Sequence, residues 1–196
     1  EQNILGKRQI ENFTIFKTDY GKMVSVRDAL TVEESEEKFT ELYPIIEHLE
    51  TCNIPYYYIT SIRPIQNIED LPDGVPEGSY TNQKIVKQQL KKFNVSTIDI
   101  QTTEQISNIQ KEHLFYKTDH HWKLETCFAA YQDIIEKVQN DYNWRLDINK
   151  TTEVDNYDKL CMEDSFLGSY GIKVGKFYAG KDDFVVYVPK FDTDLV

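Results

Sequence analysis

The chain has 196 residues, of which 40% are hydrophobic and 28% are charged. This length and composition are typical of one globular domain, so we predict a single domain over residues 1–196. Thirty-three acidic residues against 22 basic ones give a formal net charge of −11. Because binding to nucleic acid or anionic lipid depends on Lys and Arg that neutralise phosphate, neither is an expected partner. No apolar run approaches the ~20 residues of a membrane span, so we expect no membrane insertion in this segment.

The first part of the chain predicts a hairpin, a helix and a buried strand, in that order. Apolar residues alternate over residues 14–26, with a turn in the middle. Thr31 and Glu34 have the spacing of a capping box, which predicts that a helix begins after Thr31. Pro44 lies within that helix and predicts a kink or a break. Residues 55–62 are almost all apolar or β-forming, which is typical of a strand covered on both faces.

A loop, a helix and a second strand follow, and together they indicate the fold class. Residues 63–80 are rich in Pro and Gly, residues 82–93 have a helical period, and residues 95–100 form a short strand. This order of helices and strands predicts a layered α/β fold with a mainly parallel sheet flanked by helices. In such sheets, ligands bind outside the carboxyl ends of the strands.

The last third of the chain predicts a long helix and a β-hairpin region. Residues 123–140 have a helical period, and Cys127 falls inside that helix, where we expect it to face the core. Residues 177–178 and 184–188 are predicted to form the two strands of a C-terminal β-hairpin, with Gly180 in the turn between them.

Residues 117–122 contain the densest group of chemically active side chains. They include Asp119 and two of the four histidines, His120 and His121. Imidazole has the unperturbed pKa nearest to neutral pH, so it is the usual general base of hydrolytic and acyl-transfer chemistry. A carboxylate beside it can fix its tautomer. On extended chain, residues two apart point the same way, so we predict that Asp119 cooperates with His121 and that His120 points in the opposite direction.

Two other interpretations of this run stay open. In the first, Asp119 caps the following helix and Trp122 packs on the core. In the second, Asp119, His120 and His121 bind a metal ion, which requires a sharp backbone bend because adjacent side chains diverge. No C-x-x-C spacing is present to complete a zinc site, so we predict neither a metal ion nor a cofactor. The three cysteines are Cys52, Cys127 and Cys161.

Four residues in or near this run are candidates for binding a substrate. Arg63 directly follows the predicted buried strand, where a guanidinium can bind a carboxylate or stabilise an oxyanion. A salt bridge to an acidic neighbour is the favoured alternative for Arg63. Tyr116 and Trp122 flank the run and can form a wall that stacks on sugar, although aromatic rings in such places more often belong to the core. His120 is the fourth candidate.

Residues 114–122, followed by a helix with Phe128 and Tyr131, resemble the DHHW proteins, a family of exported, largely uncharacterised proteins of Firmicutes. That family is similar in turn to SGNH-hydrolase-like proteins that O-acetylate alginate, which carry an Asp-x-His-Trp run at the equivalent place. The resemblance extends from about residue 13 to the C-terminus, and the Asp-His-His-Trp stretch is its specific part. It implies an SGNH-hydrolase-like layered fold and an extracytoplasmic location, at the cell surface or secreted.

The resemblance also implies a Ser-His-Asp triad. In the alginate-acetylating relatives the Asp and His of this run act with a serine, so Asp119 would orient, His121 would be the base, and His120 would take the variable position. The nucleophilic serine of those relatives lies further downstream than this chain extends. After the run only Ser165 and Ser169 remain, and we expect neither in the strand-then-sharp-turn setting that exposes a nucleophile. We therefore expect the chain to be truncated before the nucleophile segment.

Three functions follow from these observations, in order of preference. The first is a cell-surface glycan O-acetyltransferase or esterase domain, inactive without its serine, whose partner is a cell-surface polysaccharide or peptidoglycan. The second is a non-catalytic module that binds a polysaccharide or a protein on the same fold. The third is a metal-dependent hydrolase that acts through Asp119, His120 and His121.

Overall fold

The structure is a computed structural model that describes residues 9–10, 14–147 and 149–193. The strands are β1 (Gln9–Ile10), β2 (Ile15–Lys17), β3 (Met23–Ser25), β4 (Tyr58–Thr60), β5 (Thr97–Asp99), β6 (Tyr157–Phe166) and β7 (Asp182–Pro189). The helices are α1 (Val32–Thr51), α2 (Ser79–Lys92), α3 (Glu104–Ser107), α4 (Leu124–Tyr142), α5 (Ser169–Val174) and α6 (Lys176–Ala179). Among these described helices, none combines the length and the apolar character that crossing a bilayer requires.

The predicted N-terminal hairpin is confirmed and forms part of a small antiparallel sheet. Its strands β2 and β3 pair with each other, and Phe16 lies opposite Val24. Strand β1 pairs with the other edge of β2. The Phe16 and Val24 side chains are buried, where they pack with Ile65 and Leu71 from the loop after β4. The hairpin therefore covers that loop and fixes the path of the chain after β4.

Helix α1 begins where the sequence predicts. The Thr31 side chain accepts the Glu34 backbone N–H, and the Glu34 side chain accepts the Thr31 backbone N–H, so the predicted capping box is present. The sequence predicts a kink or a break at Pro44; the helix continues through Pro44 to Thr51, so it does not break there. Proline removes one helical hydrogen bond, and packing of the helix on both sides of it, by Phe39 and Ile46 against the core, outweighs that loss.

Strands β4 and β5 form a parallel pair, with helix α2 between them in the sequence, and they build the centre of the molecule. Tyr58 lies opposite Thr97 and Thr60 lies opposite Asp99. Apolar side chains at the ends of both strands pack against helix α4. The buried members of this cluster are Ile62, Ile98, Ile100, Ile106, Leu114, Phe115, Ala129 and Ala130.

The predicted α/β class is confirmed, but a mainly parallel sheet is not what the described residues form. The β4–β5 pair is parallel, whereas the β1–β2–β3 sheet and the β6–β7 sheet are antiparallel. The order of elements predicted the β4–α2–β5 unit, but it carries no information on how the other strands pair. The strand predicted to be covered on both faces is also shorter than expected, and its Ile59 is 46% exposed.

The predicted C-terminal hairpin is wrong in its first strand. Residues 176–179 form α6, and β7 pairs instead with the ten-residue strand β6. Gly175 and Gly180 have φ angles of +86° and +73°. Glycine adopts such angles readily, so Gly175 separates α5 from α6 and Gly180 ends α6. The Phe128 ring of α4 lies 5.3 Å from both the Tyr157 and Tyr187 rings, which packs this β6–β7 hairpin onto the helix.

The three cysteines are free thiols on the surface. The buried face of α4 consists of residues three or four apart, from Thr126 through Ala129 and Ala130 to Asp133. Cys127 lies outside that face and is exposed, so the prediction that it faces the core is wrong.

Lys22 is a buried amine directly before β3. It is 2% exposed, and its Nζ donates to the Pro64 carbonyl oxygen at 3.1 Å and lies 3.2 Å from the centre of the Phe115 ring. No ion pair among the described residues includes it. Burial lowers the pKa of Lys22 to about 6, so the folded protein holds this amine mostly neutral at pH 7.

We expect Lys22→Met to stabilise the protein at neutral pH. The unfolded chain keeps a proton on Lys22 up to about pH 10.5, whereas the folded chain releases it above about pH 6. Burial of Lys22 therefore costs stability at neutral pH, and the cost shrinks as the pH rises through that window. The substitution should raise the free energy of unfolding by on the order of 2 kcal/mol at pH 7, and this gain should vanish near pH 10. Urea unfolding at both pH values measures it.

The exposed Lys38 supplies the matched control, since Lys38→Met should change stability little and equally at both pH values. A gain in the free energy of unfolding of the same size at pH 7 and pH 10 in Lys22→Met would contradict the interpretation that Lys22 is a buried, mostly neutral amine.

Candidate active site

The run that carries Asp119 forms the loop of a tight hairpin directly before α4. Phe115 and Trp122 form an isolated antiparallel bridge, and the Tyr116 backbone N–H donates to the His121 carbonyl oxygen at 3.2 Å. Both Phe115 and Trp122 pack on the central core, so the two ends of the loop are anchored. The residues between them therefore turn back on themselves instead of running extended.

Asp119 and His121 form the closest pair in this loop. The Oδ1 atom of Asp119 accepts the backbone N–H of His121 at 2.9 Å and lies 2.6 Å from Nδ1 of its ring. An ionised carboxylate can only accept, so Nδ1 carries the proton and donates it to Oδ1. Among the described residues Nε2 of His121 has no hydrogen-bond partner, and the side chain is 70% exposed. In the neutral ring, the nitrogen without a proton is therefore Nε2, on the exposed side chain.

The Asp119 carboxyl stays ionised although it is only 4% exposed. Burial by itself would raise its pKa, but hydrogen bonds from the backbone N–H groups of Ser169 and His121 and from the side chains of both residues lower the pKa to about 2. The stability gained from this ionised form is present above the usual pKa of an Asp and is lost as the pH falls toward 2. At neutral pH Asp119 is thus a fixed negative charge beside the imidazole.

A second buried carboxylate, that of Asp182, holds the loop in place. Its two oxygens accept the backbone N–H groups of Lys117 and Thr118 at 2.8 and 2.9 Å, and the Thr118 hydroxyl at 2.7 Å. Thr118 in turn binds the turn after β6, because its Oγ1 accepts the Gly168 N–H and its carbonyl accepts the Gly171 N–H, both at 2.9 Å. Strand β7 and the β6–α5 segment therefore both form hydrogen bonds with Thr118, the residue before Asp119.

His120 lies on the same side of the loop as His121, so the prediction that it points in the opposite direction is wrong. The two rings have centres 3.8 Å apart, and His120 Nδ1 lies 3.3 Å from Oδ1 of Asp119. Neighbouring side chains point in opposite directions only where the chain is extended, and the chain bends between Tyr116 and Trp122. His120 Nδ1 also lies 3.1 Å from the Ser169 hydroxyl, so this ring contacts the β6–α5 turn.

A groove of about 490 Å³ lies beside the loop, and three of the four candidate binding residues line it. These are Arg63, His120 and Trp122. Tyr116 does not line the groove: it is 5% exposed, and its ring packs against the Phe166 and Phe184 rings. Its ring has no free face for a sugar, so the predicted stacking role of Tyr116 is corrected to a packing role.

Arg63 is not part of a salt bridge within the described part of the chain. Its guanidinium donates to the Gln83 side-chain oxygen at 3.3 Å and to the Gln66 carbonyl oxygen at 3.4 Å, and it lies over the Tyr80 ring. All of these partners are uncharged, so the favoured prediction of an acidic partner for Arg63 is wrong. The groove therefore contains a guanidinium that forms no ion pair among the described residues, although Glu77 also lines the groove.

Asp119, His120 and His121 also place three possible metal ligands within 4.8 Å of one another. Two ligands on a tetrahedral zinc ion are roughly 3.3 Å apart, given metal–ligand bonds of about 2.0–2.1 Å. Oδ1 of Asp119 and Nδ1 of His121 are closer than that, at 2.6 Å. Their spacing is that of a hydrogen bond, so this geometry favours a carboxylate–imidazole pair over a metal centre.

Four residues that support Asp119 lay outside the candidates from the sequence: Thr118, Gly168, Ser169 and Asp182. Ser169 donates its backbone N–H to Oδ2 of Asp119 at 2.5 Å. It lies three residues after the end of β6 and is the first residue of α5. The Thr-Asp and Gly-Ser pairs were visible in the sequence, but no local pattern indicates that they meet.

The family comparison covers this same stretch of chain. Residues 63–156 match the family described as the SGNH hydrolase-like domain of the acetyltransferase AlgX. The predicted resemblance is confirmed. The matched region of this SGNH-hydrolase-like chain contains Arg63 and the whole Asp-His-His-Trp run. No curated protein matches the sequence significantly.

Three solved structures share the fold at low sequence identity. PatB1 from Bacillus cereus has a TM-score of 0.69 and 18% identity, with 90% of this chain and 58% of PatB1 covered. The O-acetyltransferase domain of Pseudomonas putida AlgJ has a TM-score of 0.65 and 12% identity, with 90% and 66% covered. A DHHW family protein from Eubacterium siraeum has a TM-score of 0.55 and 16% identity, with 89% and 54% covered. The chain thus has the fold of these proteins. It spans between 54% and 66% of their lengths.

We expect Gly168→Ala to disturb the Asp119–His121 pair. A Cβ at Gly168 would lie 2.3 Å from the Asp119 Cβ and 2.7 Å from the Thr118 carbonyl oxygen, so one of the two chain segments must move. The substitution should cost about 1–3 kcal/mol of stability and should shift the NMR signals of the His121 ring. Denaturant unfolding and a histidine-selective spectrum measure the two effects.

Gly74→Ala is the control. A Cβ at Gly74 meets nothing within 4 Å, and only its φ of +79° adds strain, at about 1 kcal/mol. Unchanged His121 signals in Gly168→Ala, with a stability loss no larger than that of Gly74→Ala, would show that the close approach does not position Asp119.

Proposed function

We propose that this chain forms most of a cell-surface glycan O-acetyltransferase or esterase domain, in which His121 is the general base and Asp119 orients it. The observation that carries the proposal is the 2.6 Å contact between Asp119 Oδ1 and His121 Nδ1, which leaves Nε2 free to take a proton. The likeness to an O-acetyltransferase domain and to the AlgX family supports the same chemistry.

The nucleophile in this proposal is a serine in sequence that follows Val196. Its hydroxyl proton passes to His121 Nε2 while its oxygen bonds to the carbonyl carbon of an acyl donor. The tetrahedral intermediate expels the donor's leaving group, which takes the proton from the imidazolium. A sugar hydroxyl or water then attacks the acyl-serine, and its proton returns through His121 to the serine oxygen. Backbone N–H groups beside the serine supply the oxyanion donors.

The acceptor in this proposal is a glycan of the cell surface, bound outside the cytoplasm. The groove beside His120 offers an aromatic ring, Trp122, and a guanidinium, Arg63, and such a combination suits a sugar ring with polar substituents. The fixed charge of Asp119 remains on the protein throughout, because it stabilises the imidazolium without taking its proton.

An ester-hydrolysis assay with p-nitrophenyl acetate tests this function on the longer protein that continues past Val196. We expect His121→Ala to lower kcat/KM by roughly 10²–10⁴-fold, because it removes the base. His48→Ala is the matched control, since His48 is an exposed residue of α1 whose Nε2 lies 3.8 Å from the Cys52 thiol. The 196-residue chain should show no turnover above background.

Ser169→Ala separates this account from one in which the nucleophile lies within the chain. We expect the longer protein to keep most of its turnover with that substitution, because the Ser169 hydroxyl contacts His120 and Asp119 but not the proposed base, and the Ser169 backbone N–H still donates to Asp119. Loss of turnover in Ser169→Ala, or full turnover in His121→Ala, would contradict the proposal. No turnover in the unchanged longer protein would favour a module that binds polysaccharide without catalysis.

A further inference from the structure

The long strand β6 has one paired edge and one free edge. Its only partner strand in the described part of the chain is β7. The Lys190 N–H donates to the Asn156 carbonyl oxygen at 2.9 Å, in register with the β6–β7 pairs. In an antiparallel ladder, such hydrogen-bonded pairs alternate with pairs whose N–H and C=O groups point away from the partner strand. The N–H and C=O groups of Lys159 and Cys161 therefore point away from β7, toward the free edge.

The side chains of β6 are exposed as well as its edge. Every residue from 158 to 165 is exposed, and neighbouring side chains point to opposite faces, so neither face of this stretch is covered. Two of these residues are apolar, with Leu160 54% and Met162 45% exposed. An unpaired edge with exposed apolar side chains is a template for pairing with another strand.

The sequence of β6 is complementary to itself when it runs in the opposite direction. The strand reads Lys-Leu-Cys-Met-Glu over residues 159–163. When two copies pair antiparallel about Cys161, Lys159 of each copy lies opposite Glu163 of the other, and Leu160 lies opposite Met162. Opposite charges and apolar side chains that face each other directly stabilise a strand pair. Symmetric registers centred on Lys159 or Leu160 do not bring Lys159 and Glu163 together.

The two charged residues of this register are accessible to a second copy. Glu163 forms no ion pair within the described ranges of the chain. Lys159 Nζ lies 3.2 Å from Glu125, but the Lys159 side chain is 51% exposed and can also contact a second carboxylate. Strand geometry ends just beyond Glu163, because Asp164 has a φ of +46° at an irregularity in the β6–β7 pairing. The regular pairing therefore stops before Asp158 of one copy would face Asp164 of the other.

We propose that two copies of this chain pair antiparallel through the free edges of β6, centred on Cys161, and join their β6–β7 hairpins into one four-stranded sheet. Such an interface is two-fold symmetric, because the same surface of each copy takes part. The described residues that line the groove include none from β6 or β7, so this inference does not depend on the proposed function. A short strand pair belongs to the small interfaces, below about 1,200 Å², so we expect a dissociation constant on the order of 100 μM.

Sedimentation equilibrium of the longer protein over a range of concentrations tests the pairing. Glu163→Lys places a lysine opposite Lys159, and symmetry repeats this clash twice in each dimer. We expect that substitution to raise the dissociation constant at least about tenfold. The double substitution Lys159→Glu with Glu163→Lys exchanges the charges and should return the dissociation constant to within about threefold of its original value. Glu37→Lys, at an exposed position of α1, is the control with the same change in net charge.

A disulfide trap tests the register. Directly opposite residues of a hydrogen-bonded pair have Cα atoms about 5.5 Å apart, which lies within the roughly 4.4–6.8 Å span of disulfides. Cys161 is a free, exposed thiol, so mild oxidation of the longer protein should link two copies through it. Cys161→Ser should abolish the linked dimer on a non-reducing gel. Cys127→Ser, which removes an exposed thiol of α4, should leave it unchanged.

Three results would overturn the proposal. The first is a longer protein that stays monomeric well above the expected dissociation constant, which would mean that its own chain covers the β6 edge or that the edge does not pair. The second is a dimer that Glu163→Lys weakens no more than Glu37→Lys does, which would place the interface elsewhere. The third is a charge exchange that fails to restore the dimer, or a linked dimer that persists in Cys161→Ser.

Discussion

The carboxylate of Asp119 is a negative charge at a buried position, and the chain around it is arranged to keep it ionised. A buried carboxylate without partners costs several kcal/mol, so it needs donors on both oxygens. Here Oδ1 accepts two N–H groups from His121, and Oδ2 accepts the backbone N–H of Ser169 from a segment 50 residues further along the chain. The loop and the β6–α5 turn must therefore fold together for the charge to be stable.

This requirement gives the C-terminal third of the chain its role. Asp182 at the start of β7 binds the two residues before Asp119, and Gly168 allows the turn to approach closely enough for the Ser169 N–H to reach the carboxylate. The β6–β7 hairpin also packs on α4, the helix that follows the loop. The hairpin thus supports the carboxylate–imidazole pair, and His120 and Trp122 of the same loop line the groove.

The sequence predicted the long helices α1, α2 and α4, the N-terminal hairpin and the Asp119–His121 pair because these depend on local signals. A capping box marks the start of α1, and a two-residue spacing suggested which imidazole meets the carboxylate. In extended chain, His120 would point away from Asp119 and His121. The loop bends instead and brings His120 to the same side, so the predicted pair is correct although the backbone is not extended. The role of Asp182 could not be predicted, because contacts between residues 64 and 65 apart leave no trace in local periodicity.

The wrong predictions of how the strands pair and of a strand at Phe177 have the same origin. Alternation of apolar residues indicates a strand but not its partner, so the pairing of β6 with β7 was invisible. Phe177 is apolar and was assigned to a strand, yet it is 91% exposed on the short helix α6. Hydrophobicity is a guide to burial only where a neighbouring element exists to cover the side chain.

The central claim is that Asp119 fixes the His121 ring with the proton on Nδ1 and an unprotonated Nε2. Imidazole 15N NMR at a pH where the ring is neutral tests it most directly, with Asp119→Asn as the comparison and His48 as the reference ring. The account predicts a protonated Nδ1 and a bare Nε2 for His121, and a loss of that preference in Asp119→Asn. A His121 ring with its proton on Nε2, or one that averages between both tautomers as a free imidazole does, would contradict it.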